Sequence, residues 1–194
     1  MNHPAEDISI ENPKKEDITA MLELNYKIYP KEWHVSKEFV LNIMSKNSSV
    51  YRTLKVNGEI KGIYSLFPFS KGVYENILNG KLDESELDEF LLDYEVPKEI
   101  YLYLISMIVD IHDQDYKKYT KTIIKDLRKQ LKWIKRQGMT IKEVGAIAIS
   151  DDGKRILHKL GFHRGKDLVE NNNVYPVYRA SSVDIINAIK LYEE

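Results

Sequence analysis

The segment Tyr101 to Asp110, YLYLISMIVD, is a nearly continuous apolar run. A half-wet strand would alternate apolar and polar residues, so this run predicts a central strand covered on both faces. The residues after it narrow the fold further. Thr120, Ile123, Ile124, Leu127, Leu131 and Ile134 recur at helical spacing along a long amphipathic helix that ends near Gly138, a natural left-handed residue after a helix. Lys142 to Ile149, KEVGAIAI, is a second buried strand, and Asp151 to Leu160 is a short helix closed by Gly161. Strand, helix, strand and helix in succession favour parallel pairing, and sheets of that kind bind ligands at the C-terminal ends of their strands.

The flanking segments complete a mixed α/β order. Asp7 to Glu11 reads as a short strand, and Ile18, Met21, Leu22, Asn25, Ile28 and Tyr29 form one helical stripe after Pro13. Ser36 is placed to cap a second helix carrying Phe39, Val40, Ile43 and Met44. Ser49 to Val56 and Glu59 to Pro68 are β-rich and joined by Asn57-Gly58, the pair suited to a type I′ hairpin turn. From Ser70 to Pro97 the character changes. Val73, Tyr74, Ile77 and Leu78 suggest a helix, and Asp83, Glu84, Glu86, Asp88, Glu89, Asp93 and Glu95 follow with no basic residue between them. This stretch, about 70–98, reads as a helical, acidic insertion with a solvated surface. The chain closes with two strands, the last from Val174 to Ala180, and a terminal helix from Asp184. No repeat and no Pro/Gly/Ser linker interrupts the 194 residues, which predicts a single domain.

Composition excludes several classes. Lys+Arg number 29 and Asp+Glu 30, so no global excess of positive charge advertises nucleic acid or an anionic membrane. The helix from Lys117 to Arg136 carries nine basic residues and one acid, Asp126, and could bind a polyanion. Balanced overall charge and the lack of a nucleic-acid motif favour a solvated face instead, so a nucleic-acid partner is not expected. Zero cysteine removes disulfides, thiolate metal sites and cysteine nucleophiles, and is what a reducing compartment permits; the expected address is the cytoplasm. MNHPAEDISI lacks the basic and apolar regions of a signal peptide, and no later segment approaches ~18 apolar residues, so no membrane partner is expected. The spacings HExxH and His-x-Glu, and a calcium-type Asp/Asn loop, do not occur, so no metal is expected. GxSxG and Walker A motifs do not occur either, which argues against serine hydrolases and P-loop kinases.

This element order, the strand ending MIVD with its long helix, and above all ISDDGKRILHKLGF with its closing Leu160-Gly161-Phe162, resemble the GCN5-related N-acetyltransferase (GNAT) superfamily. The resemblance runs from Ile8 to about Arg179. It implies a central mixed sheet, flanked by helices, in which two parallel strands, here 101–110 and 142–149, splay apart around acetyl-CoA. Main-chain groups near Ile108, Val109 and Ile111 would then meet the pantetheine arm. The family's pyrophosphate turn reads Gln/Arg-x-x-Gly-x-Gly/Ala, whereas this chain has Asp113-Gln114-Asp115-Tyr116-Lys117-Lys118-Tyr119-Thr120-Lys121-Thr122, with no glycine. Glycines let phosphate oxygens reach backbone N–H groups at a helix N-terminus. Here the cations of Lys117, Lys118 and Lys121 and the hydroxyls of Thr120 and Thr122, around Tyr119, would make a side-chain anion site, or simply a solvated helix face.

Two further positions depart from the family. Ser150 stands where it usually has Asn, and either hydrogen-bonds pantetheine or caps the next helix, capping being the commoner fate. Leu157 stands where it usually has the tyrosine that protonates the leaving thiolate, and leucine has no proton to give. For the general base, Asp110 ends the central strand, where functional groups collect. Ser106 occupies a position where many relatives have glutamate. His112 and His158 are further candidates without a recognisable partner, and Tyr175 and Tyr178 lie on the last strand, on the family's acceptor side. The resemblance implies an N-acetyltransferase moving acetyl from acetyl-CoA to a small-molecule or peptide amine, the acidic insertion attracting the cationic acceptor. The alternative is a GNAT-fold pseudoenzyme, a binding or regulatory module without transfer. Homodimerisation is left open.

Overall fold

β1 (Ile8–Glu11) lies antiparallel to β2 (Tyr51–Val56), which Asn57-Gly58 turns into β3 (Glu59–Phe69). The two turn residues have φ of +50° and +85°, the left-handed pair a two-residue hairpin requires. These elements belong to a computed structural model that describes residues 6–170 and 172–193. With β4 (Glu99–Val109), β5 (Thr140–Ile147), β6 (His163–Glu170) and β7 (Asn173–Ala180), the strands make a seven-stranded mixed sheet in the order β1-β2-β3-β4-β5-β7-β6. β4 and β5 pair in parallel, from Glu99 opposite Thr140 to Tyr103 opposite Gly145, while β7 runs antiparallel to both β5 and β6. Among the described residues the helices are α1 (Ile18–Ile28), α2 (Lys37–Lys46), α3 (Lys71–Leu78), α4 (Leu87–Phe90), α5 (Tyr116–Arg136), α6 (Asp151–Lys159) and α7 (Ser182–Glu193).

The strands expected at 101–110 and 142–149 run Glu99–Val109 and Thr140–Ile147, and two other boundaries shift for local reasons. The strand expected from Ser49 begins at Tyr51, because the Asn47 side chain accepts the Ser49 N–H at 3.1 Å and winds Ser48–Val50 into a 3-10 turn. The last helix begins two residues before Asp184, capped by the Ser181 hydroxyl, which accepts the Asp184 N–H at 3.0 Å.

Packing divides the chain into two compact units. The first joins the residues up to 65 with 106–126. Its core is the apolar stripe of α1, with Ile18, Met21, Leu22 and Leu24, and that of α2, with Phe39, Val40 and Ile43. A polar anchor ties its sheet to α5. The Arg52 guanidinium donates to both Asp126 oxygens, at 2.9 and 3.2 Å, and the fully buried Tyr64 hydroxyl donates to one of them at 2.7 Å. The second unit joins Leu66–Ile105 with the residues from 127 onward. Its core runs through Phe67, Phe69, Leu102, Leu131, Ile134, Val144, Phe162 and Val177. α3 packs so closely on β5 that a Cβ on Gly145 would lie 2.6 Å from the Tyr74 hydroxyl and 2.8 Å from Leu78.

Asp126→Ala is expected to lower the unfolding free energy by about 3 kcal/mol, because it leaves a largely buried guanidinium and a buried phenol without their acceptor. Urea denaturation monitored by circular dichroism measures it.

Candidate functional site

The turn from β4 into α5 is built by two anchored carboxylates. The Asp110 N–H donates to the Lys61 carbonyl at 2.8 Å, and its carboxylate accepts Lys27 Nζ at 2.9 Å on each oxygen and the His112 N–H at 3.1 Å. Burial raises the proton affinity of Asp110, but the hydrogen bonds from Lys27 and the His112 N–H and the Lys27 charge outweigh it, holding the carboxyl below its usual range. Asp113 accepts the Asp115 N–H at 3.0 Å and the Tyr119 hydroxyl at 3.2 Å, with Lys61 Nζ at 3.4 Å. The backbone hydrogen bond from Asp115 leads in depressing the Asp113 pKa, against burial.

This arrangement accounts for the missing glycines. Among the described residues no residue from Asp110 to Tyr119 has positive φ, so the turn does not form the alternating backbone nest that cradles phosphate. Most of the amides at the start of α5 are met from within, that of Lys117 excepted. Asp115 donates to the Asp113 carboxylate, Tyr116 to the Asp113 carbonyl, and Lys118 and Tyr119 to the Asp115 carbonyl. A carboxylate of the chain itself thus takes the electropositive helix end.

The side chains expected to replace the nest are partly committed. Lys118 pairs with Glu6 at 2.7 Å, and Lys117 Nζ lies 5.9 Å from the Tyr116 ring centroid. Lys121 is exposed. Thr120 and Thr122 donate to carbonyls of their own helix, Tyr116 and Lys118, each at 2.9 Å. Tyr119 is buried, and burial together with the Asp113 carboxylate pushes its hydroxyl up to about 12. In β4, the Asp110–Lys61 contact and the Ser65–Ser106 hydroxyl contact at 2.8 Å share one antiparallel register. Peptide groups alternate in direction along a strand, so Ile108 turns its N–H and C=O toward β3, whereas Val109 turns its own to the opposite edge. Ile111, past the strand end, is exposed.

In the second unit, Ser150 caps α6: its hydroxyl accepts the Gly153 N–H at 3.1 Å. Leu157 is buried. His112 and His158 are both exposed, as Tyr178 is not.

Sequence reasoning missed two groups here. Glu84, one of the acids read as solvated surface, is partly buried and accepts the Tyr103 hydroxyl at 2.6 Å. Desolvation pushes its carboxyl up to about 7, the Tyr103 hydrogen bond opposing and the charges of Asp83 and Glu170 adding to the rise. Two more of these acids are engaged locally: Glu86 accepts the Asp83 N–H, and Asp93 pairs with Lys98 at 2.9 Å. The second group centres on Arg179 of β7. Its guanidinium forks onto both Glu75 oxygens and onto Glu143, all at 2.8 Å, and lies over the Tyr74 ring, while the Tyr74 hydroxyl donates to Glu143 at 2.8 Å. Neither group had a sequence signal, because the partners lie 19 to 104 residues apart. Among the described residues no cluster of three or more His, Asp or Glu side chains could hold a metal ion, and no helix is long and apolar enough to cross a membrane.

Glu84 has a measurable signature. Its folded-state pKa is raised, so its contribution to stability is complete below about pH 4.5 and is lost as pH rises through about 7. The depressed aspartates Asp110 and Asp113 act in the opposite sense and only below about pH 4. The difference in unfolding free energy between the wild-type chain and Glu84→Gln is therefore expected to fall from pH 5 to 8. A flat difference would show that the carboxyl titrates normally.

No protein-family model and no curated protein matches the chain. Solved structures do. The loading GNATL domain of CurA from Lyngbya majuscula is 12% identical, with a TM-score of 0.70 over 91% of this chain and 98% of that one. GphF, a GNAT-like decarboxylase in complex with isobutyryl-CoA, is 15% identical, with a TM-score of 0.61 over 90% of this chain and 99% of its own. The PaiA N-acetyltransferase from Thermoplasma acidophilum, in complex with coenzyme A, is 16% identical, with a TM-score of 0.56 and coverage of 90% and 99%. At such identities the likeness is one of fold.

Proposed function

We propose, for a chain with the fold of the GCN5-related N-acetyltransferases, the transfer of acetyl from acetyl-CoA to the amine of a small molecule or peptide. The observation that carries this reading is the likeness, over 90% of the chain, to solved proteins that hold isobutyryl-CoA or coenzyme A. Acetyl-CoA enters as co-substrate. Val109, whose peptide faces away from β3, and Ile111 are assigned main-chain contacts with the pantetheine arm. Ile108 is the weaker candidate, since its peptide faces β3. Ser150 acts first as the cap of α6.

The pyrophosphate is assigned to side chains. With the Tyr116, Lys118 and Tyr119 amides of α5 met by Asp113 and Asp115, Lys117 and Lys121 supply the charge, Lys118 joins them on release from Glu6, and Tyr119, Thr120 and Thr122 hold the turn and helix start. Lysine suits this role as a point charge that needs no fixed fork geometry.

In the reaction, the acceptor ammonium gives a proton to a base, and the free amine attacks the thioester carbonyl carbon. The C–S bond then breaks, and the departing thiolate takes a proton. Asp110 is the base at the strand end, but Lys27 keeps it ionised and weakly basic. Leu157 supplies no proton, so solvent protonates the thiolate.

A second reading, a binding module without transfer, is favoured by the self-satisfied start of α5. Thermal shift separates the two. Acetyl-CoA at about 100 times Kd adds about 2.7 kcal/mol and is expected to raise Tm by roughly 5–10 °C, while ATP does not. Lys117→Ala/Lys121→Ala is expected to weaken acetyl-CoA about tenfold without changing the ligand-free Tm. No shift at millimolar acetyl-CoA would support the binding module.

A further inference from the structure

α5 concentrates positive charge on one side to a degree that whole-chain composition hides. Nine of the chain's 29 basic residues and one of its 30 acids fall in this 21-residue helix. At 3.6 residues per turn, all nine cations lie within an arc of about 120°. Lys117, Lys118, Lys121, Lys125, Lys129, Lys132, Lys135 and Arg136 are exposed. The acid lies on another face: Asp126 is 7% exposed and taken by Arg52 and Tyr64. The row therefore stacks like charges at i,i+4, as in Lys121–Lys125–Lys129 and Lys132–Arg136, each pair costing the helix a few tenths of a kcal/mol. Among the described residues none forms an ion pair with Lys125, Lys129, Lys132, Lys135 or Arg136.

The chemistry of this face selects its partner. None of the chain's exposed large hydrophobic side chains lies on α5, so the face lacks the aromatic and aliphatic anchors of protein interfaces. Its apolar stripe is not free to enter a membrane: Ile123, Ile124, Leu127, Leu131 and Ile134 are all at most 3% exposed. What is left is a row of cations that runs about 16 Å from Lys125 to Arg136. We infer that the α5 face carrying Lys125, Lys129, Lys132, Lys135 and Arg136 binds the phosphate backbone of nucleic acid without reading its sequence. Balanced whole-chain charge argues against such a partner only if the charge is evenly spread, and it is not. The inference is independent of acyl transfer, since these residues are C-terminal to the lysines assigned to acetyl-CoA.

The test is fluorescence anisotropy of the full chain with a 20-base-pair DNA duplex and a 20-nucleotide RNA, each in two unrelated sequences, from 50 to 300 mM KCl. Micromolar binding is expected at 50 mM, indifferent to sequence, with log Kd changing about 3 to 5 decades per decade of salt for the duplex. Lys129→Gln/Lys132→Gln/Lys135→Gln/Arg136→Gln is expected to weaken binding at least tenfold and to flatten the salt slope by about 3. Its acetyl-CoA thermal shift should match the wild type. Should this variant fail to fold by circular dichroism, Lys129→Gln/Lys132→Gln is expected to show about half the loss in log Kd. The inference is overturned by no binding at 50 mM salt, by binding that survives these substitutions, or by poly-L-glutamate competing as well as DNA at equal charge. The last outcome would point to an acidic protein partner.

Discussion

β4 is covered on both faces from Leu102 to Leu104, and that constraint organises much around it. Ile100, Leu102, Tyr103 and Leu104 are all at most 5% exposed, although successive residues point to opposite sides of the sheet. A strand of this kind needs cover on both sides, and its aromatic members bring hydroxyls that need partners once buried. In the second unit the segment after β3 supplies the cover. The Tyr74 ring lies 5.1 Å from that of Tyr101, Glu84 accepts the Tyr103 hydroxyl, and Arg179 clamps α3 onto β5 and β7 through Glu75 and Glu143. The acidic insertion is thus joined to the strand by the polar groups that burial would otherwise leave unmet.

The β4–α5 turn shows how a fold can keep its course while changing what a turn offers. Without glycine the backbone stays out of the left-handed region, and Asp113 and Asp115 take the Tyr116, Lys118 and Tyr119 amides of α5. Those amides are fixed donors, and satisfying them internally moves any anion recognition to flexible cations further along the helix. The same helix then carries two kinds of charge. Near its start Lys118 is bridged to Glu6, whereas from Lys125 onward the exposed cations face solvent together. Asp126, which would have neutralised part of that row on a turned helix, is instead drawn inward by Arg52 and Tyr64.

Much of the fold was legible in the sequence because its signals are local. The I′ turn needs two left-handed residues, and Asn57-Gly58 takes that conformation; Gly138 and Gly161 close α5 and α6 with φ of +88° and +82°. Ser36 and Ser150 cap as their positions ahead of helical stripes suggest, accepting from Phe39 and Gly153. The candidate site was less legible. Asp110 was found as a strand-end carboxylate, but nothing near it in sequence announces Lys27, 83 residues away, which sets its proton affinity. Glu84 was hidden in a run of acids, where composition reads as solvation.

By itself the sequence determined the order and kind of elements, the covered central strand, the basic face of α5 and the absence of a glycine turn, because each depends on spacing within a few residues. Only the tertiary structure decided which charges are neutralised, which carboxylate is pushed toward neutral pH and which hydroxyls are already spent. Charge pairing and desolvation depend on distances of a few ångströms between residues far apart in the chain, and no local pattern encodes them.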